Sequence, residues 1–338
     1  MRVSAAEARA VARALLLDAG TPEPHAALQA EVLLEGELRG HPSHGLQRLP
    51  RLLNRVERGL ADPLATGAQT WRKTGFLDVD GEAGLGPVVA MSAIEALLSR
   101  VGETGIALAA VRNANHLGML AGYAEHIARA GCIGIAWSTS EALVHPHGGT
   151  RAMLGTNPVA VAIPTVDEPF VLDLATSVVS MGKIHDHALR GAAIPRGWAL
   201  DGEGFPTTDA ERAKGGAIAP FGGPKGYALG LAFELLVVTL AGSAFAPDVH
   251  GTLDAEHKVN KGDVFIVIEP NGAPDTAARV SAYLDELRSS RPADPSHPVT
   301  VPGDGARARR EIALRNGVDV PDRLWADLRS RLPKETLT

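Results

Sequence analysis

Apolar side chains recur at helical spacing from the first residues of the chain. Ser4 and Glu7 read as a capping box, the apolar positions of AEARAVARALLLDAG follow, and Gly20 stops the helix. Thr21 and Pro22 open a second helix that ends at Gly40. Residues 1–70 therefore read as a small helical region, whose last helix is expected over residues 44–58. From Trp71 the pattern changes: the β-prone stretches FLDVDG, GIALAAV, IGIAWSTS, VAVAIPT and FVLDLA alternate with the helical VVAMSAIEALLSRV and GMLAGYAEHIARAG. That alternation predicts an α/β sheet domain. A long apolar helix is predicted over 224–241, then a strand at FIVIEP, a helix at AARVSAYLDELRSS, a Pro-rich linker and a charged helix pair. Residues 185–221 are rich in Gly, Pro and Asp without a clear period, and are expected to form loops over the sheet.

A chain of 338 residues can bury a sizeable core, in one large domain or two interleaved ones. Charged residues make up 21% and the net charge is -6, with Lys and Arg scattered, so no phosphate-backbone stripe or membrane-surface patch is expected. Only 4% of residues are aromatic, too few for a nucleic-acid stacking surface. The single Cys132 cannot form an internal disulfide and sits where a buried strand should start. With no signal peptide or membrane span read at the start, the expectation is a cytoplasmic protein.

The phosphate-binding fingerprint G-x-G-x-x-G after a strand is absent. The nearest glycines, Gly81, Gly84 and Gly86, have other spacing, and Pro87 suits the first turn of the next helix. Four constellations remain. In Gly40-His41-Pro42-Ser43-His44-Gly45-Leu46-Gln47-Arg48, Ser43 reads as a helix N-cap, which sets His44 and Arg48 four apart on one face. Arginine can hold a carboxylate in a two-bonded fork while histidine moves a proton on the neighbouring oxygen. A packed His44 with Arg48 in solvent fits the same spacing. Asn113-Ala114-Asn115-His116-Leu117-Gly118 places His116 on a strand-to-helix turn, where open α/β sheets hold ligands or where a histidine simply caps a helix. Gly155-Thr156-Asn157-Pro158 and Asp173-Leu174-Ala175-Thr176-Ser177 offer amides and hydroxyls to a pyrophosphate. No third ligand is spaced to join His145 and His147, so no metal is expected. Gly222-Gly223-Pro224-Lys225-Gly226 sets a cation at a helix start, which suits a bound anion or a lysine reaching solvent.

In chain order, the motifs SHGLQRL, DGEAGLGPVVA, VRNANHLGMLAGYA, PHGGTRAMLGTNPVAVAIP, LDLATSVVSMGKI, GWALDGEGFPTTD, GGPKGYALGLAFELL and VPGD resemble the type 2 malate/L-lactate dehydrogenase family. That family includes L-sulfolactate, ureidoglycolate and diketogulonate dehydrogenases and piperideine-2-carboxylate reductases. The resemblance implies an α/β fold with a non-Rossmann, mixed-sheet NAD(P)-binding domain over 71–270. It also implies a helical region over 1–70 packing with 270–338, and a homodimer. The implied reaction is hydride transfer between NAD or NADP and the α-carbon of a small 2-oxo or 2-hydroxy acid. The alternative is reduction of the C=N bond of a cyclic or N-substituted imino acid. By resemblance, His44 and His116 handle the proton, and Ser43, Arg48 and Thr156 meet a small carboxylate-bearing substrate. Ser140, Asp173, Leu174, Ala175, Thr176, Ser177, Lys225, Gly226, Pro302, Gly303 and Asp304 correspond to positions lining the cofactor. The chain departs from the family where Pro42 replaces an Asp before Ser-His-Gly and where LPRLLN lacks an aromatic residue. GSAFAPDVHGTLDAEHKVNKGD also fits the family poorly.

Overall fold

The computed structural model describes residues 1–270 and 275–333. After β1 (Arg2–Val3), the Ser4 hydroxyl accepts the Glu7 amide at 3.1 Å, and α1 (Ala5–Asp18) begins there. α2 (Glu23–Leu38) follows Pro22 and the chain leaves it through Gly40 at φ +80, a left-handed position that favours glycine. The helix expected over 44–58 is shorter than its pattern suggested: α3 spans Leu49–Glu57. Two 3-10 turns, Pro42–His44 and Leu46–Arg48, precede it and are broken at Gly45, whose ψ of -145 is far from helical. Ser43 therefore caps no α-helix, and His44 and Arg48 do not share a helix face.

No predicted stretch covers β2 (Ala68–Lys73), but the elements after it follow the predicted stretches closely: β3 (Phe76–Asp80), α4 (Gly86–Thr104), β4 (Ile106–Arg112), α5 (Ala121–Arg129), β5 (Ile133–Ser138), β6 (Val159–Ile163) and β7 (Phe170–Leu174). The segment expected as loops is a small folded unit instead. It comprises α6 (Met181–Leu189), β8 (Ala199–Leu200), β9 (Pro206–Thr207), α7 (Ala210–Ala213) and β10 (Ala217–Ile218). These strands pair as a three-stranded sheet over a core of Val144, Leu154, Ile184, Ile194 and Ile218. Two-residue strands and a four-residue helix are too short to leave a period in the sequence. α8 (Pro224–Ala241), β11 (Gly262–Ile268), α9 (Thr276–Ser289), α10 (Asp304–Asn316), β12 (Val318–Asp319) and α11 (Asp322–Ser330) complete the chain.

Seven strands form one mixed sheet in the order β2-β3-β4-β11-β5-β6-β7. Only β3 and β4 run parallel, joined by α4; every other pair is antiparallel, so the sheet is not of Rossmann order. One face packs on α4 and α5 through Val79, Ala109, Phe265 and Val267. The opposite face is covered by α8, which lies on β4, β5 and β11. Among the described residues only α8 is long and apolar enough to cross a membrane, and in this fold it lies on the sheet with Glu234, Val237 and Val238 buried. A second core joins α1 and α2 to α11 around Leu16, Leu34, Leu49 and Trp325. β1 pairs with β12 beside it.

Candidate active site

Two glycines let the His44 turn lie against α2. A Cβ on Gly36 would fall 2.9 Å from the Gly45 backbone, and one on Gly45 would fall 2.3 Å from Glu37 Oε1. In that contact Glu37 Oε1 accepts the Leu46 amide at 2.7 Å, which ends the first turn and starts the second. Burial pushes the Glu37 carboxyl up to about 7. The turn is held further by Arg48, whose Nε donates to the Ser43 carbonyl at 2.7 Å while Nη1 reaches the Thr252 carbonyl at 3.5 Å.

His116 arrives from the other side, on the segment leaving β4. Gly86 makes room for that segment, since a Cβ there would meet the Asn115 carbonyl at 2.3 Å. Asn115 is buried, and its amide donates to the Gly84 carbonyl and accepts from Arg55 Nε. The Gly118 amide donates to His116 Nδ1 at 3.0 Å. His44 and His116 then face each other with ring centres 5.5 Å apart, and the Ser43 hydroxyl lies 3.1 Å from His44 Nδ1.

Both imidazoles are held neutral. Burial, the Arg48 charge and His41 lower His44 to about 4; burial, Arg48, His44 and Lys261 lower His116 well below its ordinary value. Arg48 itself falls to about 10 through burial and the charge of Arg51. Lys261 is buried with Asp263, to which its ammonium donates.

The histidines stand at the seam of two spaces. A small cavity of about 30 Å³ is lined by Arg48, Arg51, Arg55, Asn115, His116, Gln29 and Thr252. A larger cleft of about 730 Å³ runs from Ser43 and His44 past Thr156, Asp173, Leu174, Ala175 and Ser177 to Pro302 and Gly303. Gly118 borders both. The cleft's far wall is the N-terminus of α10, where Gly303 and Gly305 carry no side chains, and Arg39, Arg307 and Arg309 add three guanidinium groups. A helix start among arginines suits an anion.

Five residues expected at the cofactor line neither space. Ser140 Oγ accepts the Thr156 amide, and Thr176 donates its hydroxyl to the Thr156 carbonyl, so both brace the Thr156 turn. Asp304 is spent on Arg288 and Arg307, which hold its carboxyl well below the usual range. Lys225 is exposed, and Gly226 is buried where a Cβ would meet the Phe221 backbone, so its role there is packing. Asp173 is on the cleft wall, and one of its oxygens accepts the Ala121 amide at 2.8 Å and so caps α5.

Sequence reasoning did not single out His41, Arg39, Arg307, Arg309, Arg51 or Gln29 as lining residues. Arg51 carried a legible signal, three residues from Arg48, whereas Arg307 and Arg309 lie in a charged helix whose docking onto the cleft leaves no local mark.

A family model described as Malate/L-lactate dehydrogenase matches residues 3–329. An L-sulfolactate dehydrogenase of Methanocaldococcus jannaschii is 34% identical over 313 residues, covering 92% of this chain and 90% of that protein. A Delta(1)-pyrroline-2-carboxylate reductase of Ancylobacter novellus is 33% identical over 338 residues, covering 99% and 98%. The crystal structure of a dehydrogenase from Sinorhizobium meliloti superposes with a TM-score of 0.96 at 58% identity, over 98% of both chains. With its mixed sheet, its histidine pair between an arginine-lined cavity and a long cleft, and these likenesses along its whole length, the chain belongs to the malate/L-lactate dehydrogenase family.

Proposed function

We propose that this chain reduces a small 2-oxo acid to the 2-hydroxy acid, and catalyses the reverse oxidation, with His44 carrying the proton and Arg48 holding the substrate carboxylate. One observation carries this division of labour, the Gly118 amide donating to His116 Nδ1. That bond makes Nδ1 an acceptor, so His116 bears its proton on Nε2 and gains a second one only by breaking the bond. His116 then serves as a hydrogen-bond donor to the substrate oxygen, and the proton itself falls to His44. In the free site His44 is neutral, in part because of the Arg48 charge. A carboxylate bound to Arg48 offsets that charge, so His44 becomes a better proton acceptor as the acid binds.

Dehydrogenases of this family use NAD(P), which supplies or accepts the hydride at the α-carbon. The cleft residues fit such a group: the side-chain-free start of α10 at Gly303 and Gly305, with Arg309, would hold its anionic part. Ser43, Thr156 and residues 173–175 would line the remainder, with Ser140 and Thr176 bracing them.

We read the chain as a homodimer built from two regions, residues 1–70 with 270–338 and residues 71–270. α8 supports the dimer: Ala228, Leu229, Ala232 and Leu235 form an exposed apolar stripe at helical spacing.

A panel of 2-oxo acids and cyclic imino acids, with NADH and NADPH in turn and followed by the absorbance of the reduced nicotinamide, tests the reaction. Reduction of oxo acids that collapses in His44→Ala supports it. Reduction of imino acids alone moves the substrate to a C=N bond, and full activity of His44→Ala moves the proton to His116.

A further inference from the structure

α8 is an apolar helix, yet Glu234 stands in its middle and is only 2% exposed. A carboxyl in such a place is costly unless hydrogen-bond donors meet it, and three do. Glu234 Oε2 accepts the Asn157 side-chain amide at 2.8 Å and the Gly155 backbone amide at 3.2 Å, while Oε1 accepts the Ala246 amide at 2.9 Å. The two oxygens thus reach two separate stretches of chain, and each stretch leads to a different space. Thr156, between the first two donors, lines the long cleft. Ala246 opens a 3-10 turn, Ala246–Asp248, from which the chain runs to Gly251 and Thr252 on the wall of the small cavity.

Both stretches need the support. Asn157 is fully buried at φ +36, a left-handed backbone that a non-glycine residue keeps only where its surroundings impose it. Its Nδ2 also donates to the Gly230 carbonyl at 2.9 Å, so α8 grips the side chain at two points one helical turn apart. Gly155 permits the tight turn, since a Cβ there would fall 2.5 Å from Asn157 Oδ1. In the other stretch, the Ala246 carbonyl accepts the Ala142 amide at 3.0 Å, and Glu141 accepts the amides of Thr252 and Leu253, each at 2.8 Å. Segment 246–253 is therefore pinned at both ends, and Glu234 pins its start.

We propose that Glu234 is a positioning residue for both ligands, with Oε2 setting the Thr156 turn against the cofactor and Oε1 setting segment 246–252 against the substrate. It acts at one remove from each. This rests on the proposed placement of the substrate at Arg48 and of the cofactor in the cleft.

The two ends can be uncoupled. Glutamine has nearly the shape of glutamate but accepts at one end only. With two donors at the 155–157 turn and one at Ala246, the amide oxygen of Glu234→Gln should stay with the turn and release Ala246. Asn157→Gly is the mirror change: glycine adopts a positive φ freely but drops the side-chain tie, and Ala246 stays held. Reduced cofactor, NADH and NADPH in turn, is titrated onto the full chain by nicotinamide fluorescence. Oxamate, which carries the carboxylate and adjacent carbonyl of a 2-oxo acid, is then titrated onto the chain saturated with the tighter-binding cofactor. Glu234→Gln should weaken oxamate about tenfold and leave cofactor affinity within about twofold, and Asn157→Gly should do the reverse. A clamp that served stability alone would lower the melting temperature of both variants and leave both affinities unchanged. That result overturns the proposal, as does equal loss of both ligands in either variant. Each variant is read against the wild type, so one that fails to fold leaves the other to decide. If the wild type binds no oxamate, the acid-reductase reading fails, and backbone hydrogen exchange judges the clamp separately. Glu234→Gln should then speed exchange at residues 246–253 and Asn157→Gly at residues 154–157, and identical exchange in the two variants overturns the clamp.

Discussion

His44 and Arg48 are neighbours, and if they divide the work as proposed, single substitutions should tell them apart. His44→Ala should lower kcat by about 10² to 10⁴, as expected for loss of a proton donor, with cofactor affinity little changed. Arg48→Lys keeps a charge but loses the planar fork, so its main effect should be a higher KM for carboxylate substrates. The pH profile adds a second check. In the proposed reaction reduction needs protonated His44, so the rate should fall as pH rises through its pKa, which is about 4 in the free site. Because a bound carboxylate offsets the Arg48 charge, the limb in kcat should lie at higher pH than the limb in kcat/KM, and both should disappear in His44→Ala. Glu37 has the opposite linkage. Its carboxyl is raised to about 7 in the fold from an ordinary 4.5, so the native state holds the extra proton and its stabilising contribution is complete below 4.5 and lost as pH rises through 7. Glu37→Gln keeps an acceptor for the Leu46 amide without that titration. Thermal melts should show the variant more stable than wild type at pH 8, by up to about 3 kcal/mol, and nearly equal at pH 4.5. At this scale the sequence was informative about which residues come together, since the Ser43-His44, Arg48 and His116 motifs do converge. Their geometry was not legible: nothing local announces that Glu37 intercepts the Leu46 amide and breaks the expected helix.

The turn at 42–48 works because α2 comes close enough to touch it. Gly36→Ala would put a methyl group into the Gly45 backbone, and backbone has nowhere cheap to go. The expected outcome is a displaced His44 turn, with kcat reduced about tenfold or more while far-ultraviolet circular dichroism still reports a folded chain. α8 poses a different question, because its length and apolar ends were read correctly from the sequence whereas its two faces were not. One face covers the sheet, and the other exposes Leu229 and Leu235. If a second copy covers that stripe, Leu229→Asp should shift the sedimentation coefficient from dimer to monomer, and a wild-type chain that sediments as a monomer would end the dimer reading. Strands were the most legible elements, since β3 to β7 are alternating or continuous apolar runs between turn residues. The edge strand β2 was missed because all but one of its residues are exposed and it has no buried face to set a period.

The cleft lies where the sheet region and the helical region meet: residues 118–121 and 171–175 come from one, residues 39–44 and 303–309 from the other. A ligand spanning it binds only when both are folded and docked. Saturating cofactor should therefore stabilise the whole chain, by about 2.7 kcal/mol at a hundredfold excess over Kd, and raise a single cooperative transition rather than one of two. Fold class was legible at this scale because eight motifs follow one another in register, but strand order was not, since β11 lies far along the chain from the partners it separates. That insertion has a temporal side. β11 lies between β4 and β5, pairing with residues 106–112 on one flank and 133–138 on the other. Until residue 268 has left the ribosome, the sheet can exist only as two fragments, each with an unpaired inner edge of the kind that recruits other strands. The chain closes its centre last, over sequence separations of more than a hundred residues, so slow folding and a need for protection during synthesis follow from the placement of this one strand.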